Sequence, residues 1–171
     1  MPTNYRAVGL ESLQVGECCV DFTMPTTLAT ISHIVPDTAK LVFSTPDSTQ
    51  FTTEDSDDVD VEISGAASKG VEFATFDMGN DAFILAFGGA ASGATIWKAP
   101  TDSIVSIERA LVVITKPING YQLKFEIPHV SLRAGGELKF SKTDVGSIAF
   151  EGTILKAGTN PSIKRTIMAE S

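Results

Sequence analysis

The strongest constraint on the fold is the pair Asn119-Gly120, which lies between two segments with the patterning of β-strands. Both residues accept a positive φ, as the tight turn of a β-hairpin requires. After the turn, apolar and polar residues alternate from Tyr121 to Ile127, which predicts a strand with one buried and one wet face. The first arm, 104–115, is apolar on both faces over 110–114. This predicts that a helix or another chain covers its outer side.

Similar segments recur along the chain. Apolar and β-branched runs of roughly five to ten residues, bounded by Gly, Pro or Asp, predict strands. The predicted strands are 7–15, 17–22, 26–35, 39–44, 59–64, 71–76, 137–141 and 146–155. One short helix is predicted from Asn80, as its cap, to Gly88-Gly89, which end it. Together they predict a mainly β fold, an antiparallel β-sandwich or partial barrel with one short flanking helix.

Two segments depart from this pattern. Residues 45–60, TPDSTQFTTEDSDDVD, are mostly polar or acidic, which predicts a long exposed loop. Residues 158–171 are predicted to be a surface tail or an extended arm. The chain has 171 residues, of which 43% are apolar, enough for the core of one domain, predicted to span 1–157.

Charge excludes one broad class of function. The chain carries 13 basic and 21 acidic residues, a net charge of -8, whereas sequence-independent binding to nucleic acid phosphates requires positive charge. The charge is uneven: residues 1–85 carry 14 acids and 3 bases (-11), and residues 86–171 carry 7 acids and 10 bases (+3). No signal peptide is expected at the start, and the longest apolar-rich run, 82–96, is too short and glycine-interrupted to cross a bilayer.

No group of side chains predicts catalysis, a metal or a cofactor. Cys18 and Cys19 are adjacent, and we interpret them as reduced thiols in a strand of a protein made in a cytosol. His33 and His129 lie in strand-like settings with no acidic partner nearby in sequence, so we expect neither nucleophilic catalysis nor zinc. The acidic run 54–62 lacks the central glycine of an EF-hand loop. A solvated acidic loop is the preferred interpretation, with another kind of calcium site as the alternative.

The order of elements in the second half of the chain is distinctive. The short helix ends in Gly88-Gly89 and leads into a strand and then the long hairpin, 104–127. The segment FEIPHVSL follows at 125–132, and the last strand reads GSIAFEGTILK at 146–156. Over about 77–157 this order resembles the tail tube proteins of tailed bacteriophages. It is more distantly similar to the tube proteins of contractile injection systems and type VI secretion.

This resemblance implies a structural protein rather than an enzyme. In that family six copies form a ring, and their long strands join into a continuous β-barrel around a channel. Rings stack into a tube, and DNA crosses its acidic lumen without specific binding. The implied partners are further copies and other tail proteins, such as the tape measure, terminator, baseplate or tip. The implied location is the virion tail, after synthesis in the host bacterial cytoplasm and without membrane insertion.

The resemblance also suggests two sets of contact residues. A long loop in the family orders on the adjacent ring, and 45–60 occupies the corresponding place. Its candidate contacts are Phe51, Glu54, Asp55, Asp57 and Asp58. Candidate residues of the inter-subunit barrel hairpin are Ala110, Val112, Ile114, Asn119 and Gly120.

Two alternatives remain open at this level. The first, ranked behind the tail tube subunit, is a tail terminator, tail-completion or baseplate ring protein on the same fold. A third class is a stand-alone carbohydrate-binding β-sandwich, in which Trp97 would stack on a sugar.

Overall fold

Antiparallel strands dominate the computed structural model, which describes residues 5–53, 56–102, 107–135, 143 and 145–169. Within these residues there are twelve strands and one helix. The strands are β1 Leu10–Glu17, β2 Ala29–Thr30, β3 Lys40–Phe43, β4 Ser48–Thr53, β5 Ser56–Ser64, β6 Lys69–Thr75, β7 Ala90–Ala91, β8 Trp97–Lys98, β9 Ile107–Thr115, β10 Tyr121–Gly135, β11 Ile148–Ile154 and β12 Lys164–Ala169. The helix α1 is Asn80–Phe87. The predicted class, mainly β with antiparallel sheets, is confirmed.

One large sheet contains eight of these strands. Its order is β2-β1-β9-β10-β11-β6-β3, and β12 also pairs with β10. The strands β4 and β5 form a separate two-stranded ribbon, as do β7 and β8. No closed barrel is seen among the described residues, because β2 and β3, at the two ends of the order, do not pair with each other.

The long strand β10 changes partners near its middle. Its first part pairs with β12, from Tyr121 opposite Ala169 to Glu126 opposite Lys164. Its second part pairs with β11, starting at Val130. Between them the register to β9 slips by one residue. Pro128 lies in this bulge, where a residue without a backbone N–H removes no ladder hydrogen bond.

The core lies between the inner faces of the sheet and α1. Alternation is clearest in β11, where every second residue is buried and the others are exposed. Phe150 of β11 stacks on Phe73 of β6 with ring centroids 4.7 Å apart. The helix contributes its three buried residues, Ala82, Leu85 and Ala86. Other buried members are Leu13, Val71, Leu111, Ile127, Val130, Leu132, Ile148 and Ile154.

Several element predictions need correction. Residues 45–60 are not a long loop, because most of them belong to the β4–β5 ribbon. The segment predicted as a surface tail or an extended arm contains β12, which pairs with β10 in the large sheet. No strand forms at 18–22, because β1 ends at Glu17. Of the strand predicted at 26–35, only 29–30 form a strand, and Ile34 makes an isolated bridge with Thr75. The strand predicted at 137–141 lies outside the described residues.

The helix α1 ends where the sequence predicts, but its N-terminal cap differs from the prediction. Gly88 and Gly89 have φ of 70° and 83°, the left-handed conformation that glycine tolerates. The cap at the start is Gly79 rather than Asn80, and no side chain caps the helix. Asn80 instead reaches the carbonyl oxygen of Gly93 at 3.4 Å. The prediction of Asn80 as a cap is therefore wrong by one residue.

Candidate functional site

The predicted hairpin turn forms between β9 and β10. Asn119 and Gly120 have φ of 52° and 80°. The flanking residues Ile118 and Tyr121 exchange two backbone hydrogen bonds of 2.8 and 3.1 Å. This is the two-residue turn that matches the twist of antiparallel strands. A Cβ added at Gly120 would meet nothing within 4 Å, so conformation alone favours glycine there.

The apolar stretch of β9 lies in the middle of the large sheet. The strand has β1 on one side and β10 on the other. Ala110 is 0% exposed and Val112 is 1% exposed, so both candidate contact residues are buried within the single chain. Ile114 is half-buried. Of these three, only Ile114 is accessible to a neighbouring subunit without a rearrangement.

A loop of the same chain covers this face beside Ala110. Ala110 lies opposite Gly16 of β1. A Cβ at Gly16 would lie 2.6 Å from Pro25 and 3.0 Å from Leu28, both in the segment between β1 and β2. The sequence predicts that a helix or another chain covers the outer face of β9. At Ala110 this face is instead covered by the loop between β1 and β2. Sequence periodicity cannot identify a loop as the cover, because the loop carries no period.

The candidate stacking segment forms the β4–β5 ribbon. Its register places Phe51 opposite Val61 and Thr49 opposite Ile63. Glu54 and Asp55 lie outside the described residues, and the structure describes no side chain for Phe51, Asp57 or Asp58. Ile63, at the end of β5, is 59% exposed. Among the described strands, β4 and β5 pair only with each other.

The loop between β1 and β2 is held by a cluster of contacts that the sequence does not predict. The ring of Phe22 stacks on His129 with centroids 4.6 Å apart. The Asn160 side-chain amide donates to the backbone carbonyl oxygens of Asp21 and Phe22 at 3.1 and 3.2 Å. His129 is 8% exposed, and its Nδ1 lies 3.0 Å from the carbonyl oxygen of Lys156. These groups come from three distant parts of the chain, so no local sequence signal announces them.

A protonated thiol lies beside this cluster. The Sγ atom of Cys18 lies 3.4 Å from the carbonyl oxygen of Pro128. Burial, followed by the charges of Glu108 and Cys19, raises the pKa of the Cys18 thiol. A raised pKa keeps the sulfur protonated and therefore weakly nucleophilic.

Trp97 packs against the helix α1. Its Nε1 donates to the carbonyl oxygen of Gly88 at 2.9 Å, which satisfies a group at the end of α1. Its ring contacts those of Phe83 and Phe87, with centroids 5.1 and 6.3 Å away. These contacts place the half-buried indole in an aromatic cluster with α1.

A groove of about 1010 Å³ lies beside β1. Its apolar lining includes Ile31, Ile34 and Leu41, which are partly buried and pack against the core. Lys40 and Glu72 also line it and form an ion pair of 2.7 Å. In the part of the chain that the structure describes, no three His, Cys, Asp or Glu side chains are grouped to hold a metal.

These features define a mainly β protein with an open, antiparallel large sheet and two separate two-stranded ribbons. Among the described residues, no helix is long and apolar enough to span a membrane. No protein-family model matches the chain, and no curated protein matches its sequence.

Proposed function

We propose that the protein is a major tail tube subunit of a tailed bacteriophage, which assembles into stacked six-membered rings around a channel for DNA. The observation that carries the proposal is the open large sheet. Among the described strands, β12 has a partner on one side only, and β2 covers only two residues of β1. Exposed strand edges promote association, and closure of a sheet through several copies removes them. The protein would be made in the bacterial cytoplasm and reside in the virion tail.

The ribbon provides a second argument. An isolated two-stranded hairpin is marginally stable in water and gains stability by packing an apolar face. In β5 the apolar residues Val59, Val61 and Ile63 alternate with Asp58, Asp60 and Glu62. The register pairs Phe51 with Val61 and Thr49 with Ile63, and the alternation in β5 predicts one apolar face for the ribbon. We propose that this face packs on the adjacent ring.

The overall charge suits DNA passage. A net charge of -8 opposes adhesion of phosphates and is therefore compatible with a channel through which DNA slides. Partners under this proposal are further copies of the chain and the other tail proteins. Neither a cofactor nor a catalytic step is part of it.

The alternative functions predict different behaviour in tube elongation. A tail terminator, completion or baseplate ring protein would form single rings without elongation. The carbohydrate-binding module depended on Trp97, and the contacts of its ring with Phe83 and Phe87 do not favour that function.

The decisive experiment is negative-stain electron microscopy over a concentration series, with light scattering of the same samples. Hollow tubes, or rings with six-fold symmetry and a central channel, are expected. Single rings that never elongate would favour a terminator or baseplate role. Compact monomers at every concentration, also with added tail initiator, would contradict the tube proposal.

The role of the ribbon has its own test. Deletion of 49–58 should leave a folded monomer and abolish elongation, because the rings lose their stacking contact. A variant with a Gly/Ser segment of equal length separates the effect of the side chains from that of chain shortening. Tubes of normal length from both variants would exclude a stacking role for this segment.

A further inference from the structure

A second cleft lies where β6 begins and β11 ends. Its volume is about 520 Å³, and it shares no described lining residue with the groove beside β1. Its lining includes two lysines, Lys69 and Lys156. It also includes four uncharged polar residues, Ser68, Thr153, Asn160 and Ser162. No Asp or Glu is among the described residues that line this cleft.

The charge of this cleft is opposite in sign to that of the whole chain. The chain has a net charge of -8, whereas the described lining carries two positive charges and no carboxylate. In the part of the chain that the structure describes, the lysines with a carboxylate partner are Lys40, Lys124 and Lys164. The two lysines of the cleft are not among them. Two ammonium groups without a counter-charge repel each other, and an anion between them removes this repulsion.

The register of the large sheet brings the two lysines close together. Gly70 of β6 pairs with Thr153 of β11. The next positions along these antiparallel strands are Lys69 and Ile154, which are therefore opposite each other. Lys156 follows Ile154 by two residues and is diagonal to Lys69, at a backbone separation of roughly 7–8 Å. Two long side chains at that spacing can contact one anion.

Hydrogen bonds hold both sides of the cleft in place. The Nζ atom of Lys69 donates to the Oγ atom of Ser162 at 3.2 Å. The carbonyl oxygen of Lys156 accepts from Nδ1 of His129 at 3.0 Å, and the N–H of Leu155 donates to the carbonyl oxygen of His129, also at 3.0 Å. An ammonium group has three donors, so Lys69 retains two for a ligand after its bond to Ser162.

We propose that this cleft binds a phosphate group between Lys69 and Lys156. The hydroxyl of Ser162 accepts from Lys69 and can donate its own hydrogen to a phosphate oxygen. At neutral pH a phosphate monoester carries a charge of about -1.5 to -2, which matches the two lysines. A phosphodiester of a nucleic acid backbone carries only one negative charge and matches them less well. The inference depends on the single chain alone and is independent of the proposed tube function.

Calorimetric titration with inorganic phosphate, at an ionic strength held constant with sodium chloride, tests the site. Saturable binding to one site per chain is expected, with a matching rise in melting temperature. Lys69→Gln and Lys156→Gln should each weaken binding about tenfold, the scale of one hydrogen bond to a charged group. Both lysines are exposed, so melting temperatures without phosphate should remain those of the wild type. The control Lys98→Gln removes an exposed lysine outside the cleft and should leave the Kd unchanged.

The form of the phosphate is tested with two further probes. Phenyl phosphate, a monoester, should bind as tightly as inorganic phosphate if the cleft accepts a phosphate group on a larger molecule, and more weakly if it accepts the free anion. Dimethyl phosphate, a diester with one charge, should bind more weakly than either. A diester that binds as tightly as the monoester would overturn the assignment to a doubly charged phosphate. Equal weakening by Lys98→Gln, or no effect beyond that of chloride, would indicate an adventitious ion only.

Discussion

His129 lies 3.3 Å from Glu108, measured from its Nε2 to a carboxylate oxygen, but the contact does not meet the geometry of a hydrogen bond. On the other side of the ring, Nδ1 is 3.0 Å from the carbonyl oxygen of Lys156. A carbonyl only accepts, so Nδ1 donates. The Glu108 side chain is 58% exposed and that of His129 only 10%. The ring is thus held mainly by Lys156 and the stacked Phe22.

This asymmetry predicts unequal costs of substitution. His129→Ala removes the aromatic stack and leaves the Lys156 carbonyl unpaired, so we expect a loss of about 2–3 kcal/mol in the free energy of unfolding. Glu108→Gln removes only an exposed charge and should cost no more than about 0.5 kcal/mol. Urea unfolding of both variants at one pH measures the difference. Equal losses would show that the Glu108 contact, rather than burial, holds the ring.

Gly152 provides a test of packing between β10, β11 and β6. A Cβ at this position would lie 2.7 Å from Val130, 2.7 Å from Val71 and 2.9 Å from Leu132. Gly152→Ala should therefore cost about 1–3 kcal/mol through overpacking. The matched control is Gly135→Ala in β10, where an added Cβ meets nothing within 4 Å. Thermal unfolding should separate the two variants, and similar melting temperatures would contradict this packing.

Glu126 should make the stability of the sheet sensitive to acid. The hydrogen bond from Lys124, at 2.9 Å, is the largest cause that lowers the pKa of Glu126, and Lys164 of β12, at 3.6 Å, lowers it further. A lowered folded-state pKa contributes stability that is full above the ordinary value of 4.5 and is lost as pH falls through the folded-state pKa.

Substitution of this glutamate gives the measurement. Glu126→Gln should lower the free energy of unfolding by about 1 kcal/mol at neutral pH, the scale of a partly buried ion pair. The gap to wild type should close as pH falls below 4.5 and the wild-type carboxylate is protonated. Urea unfolding between neutral pH and the acid limit tests this, and a gap that is constant with pH would exclude a charge-based role.

Local signals in the sequence account for much of the fold. The turn at Asn119-Gly120, the alternation in β10 and β11, and the end of α1 at Gly88-Gly89 each depend on a few neighbouring residues. Each forms where the sequence predicts it. Of the ribbon, the sequence predicts only 59–64 of β5. It does not predict β4, because the Ser, Thr and Gln residues around Phe51 resemble loop composition. The pairing of β12 with β10 was missed because 164–169 have no turn signal of their own.

The contacts of the candidate site could not be predicted from local sequence patterns. The apolar residues on both faces of β9 correctly predicted that its outer face is covered. They did not predict that the covering element is the loop between β1 and β2. The loop over Gly16 and Ala110 and the stack of Phe22 on His129 join residues that are far apart in the chain. Such contacts follow only from the register of the large sheet. The open edges of β1 and β12 are likewise a property of strand order, which local patterning does not determine.

Trp97 distinguishes a structural aromatic cluster from a ligand platform. Trp97→Ala should cost about 2–3 kcal/mol, because the residue is half-buried and contacts both Phe83 and Phe87. Trp97→Phe keeps much of the packing but loses the hydrogen bond to Gly88, so a cost near 1 kcal/mol is expected. Urea unfolding measures both variants, with a glycan-array experiment on the wild type alongside. Glycan binding that is lost in Trp97→Ala without a change in stability would contradict the structural role and restore the carbohydrate-binding alternative.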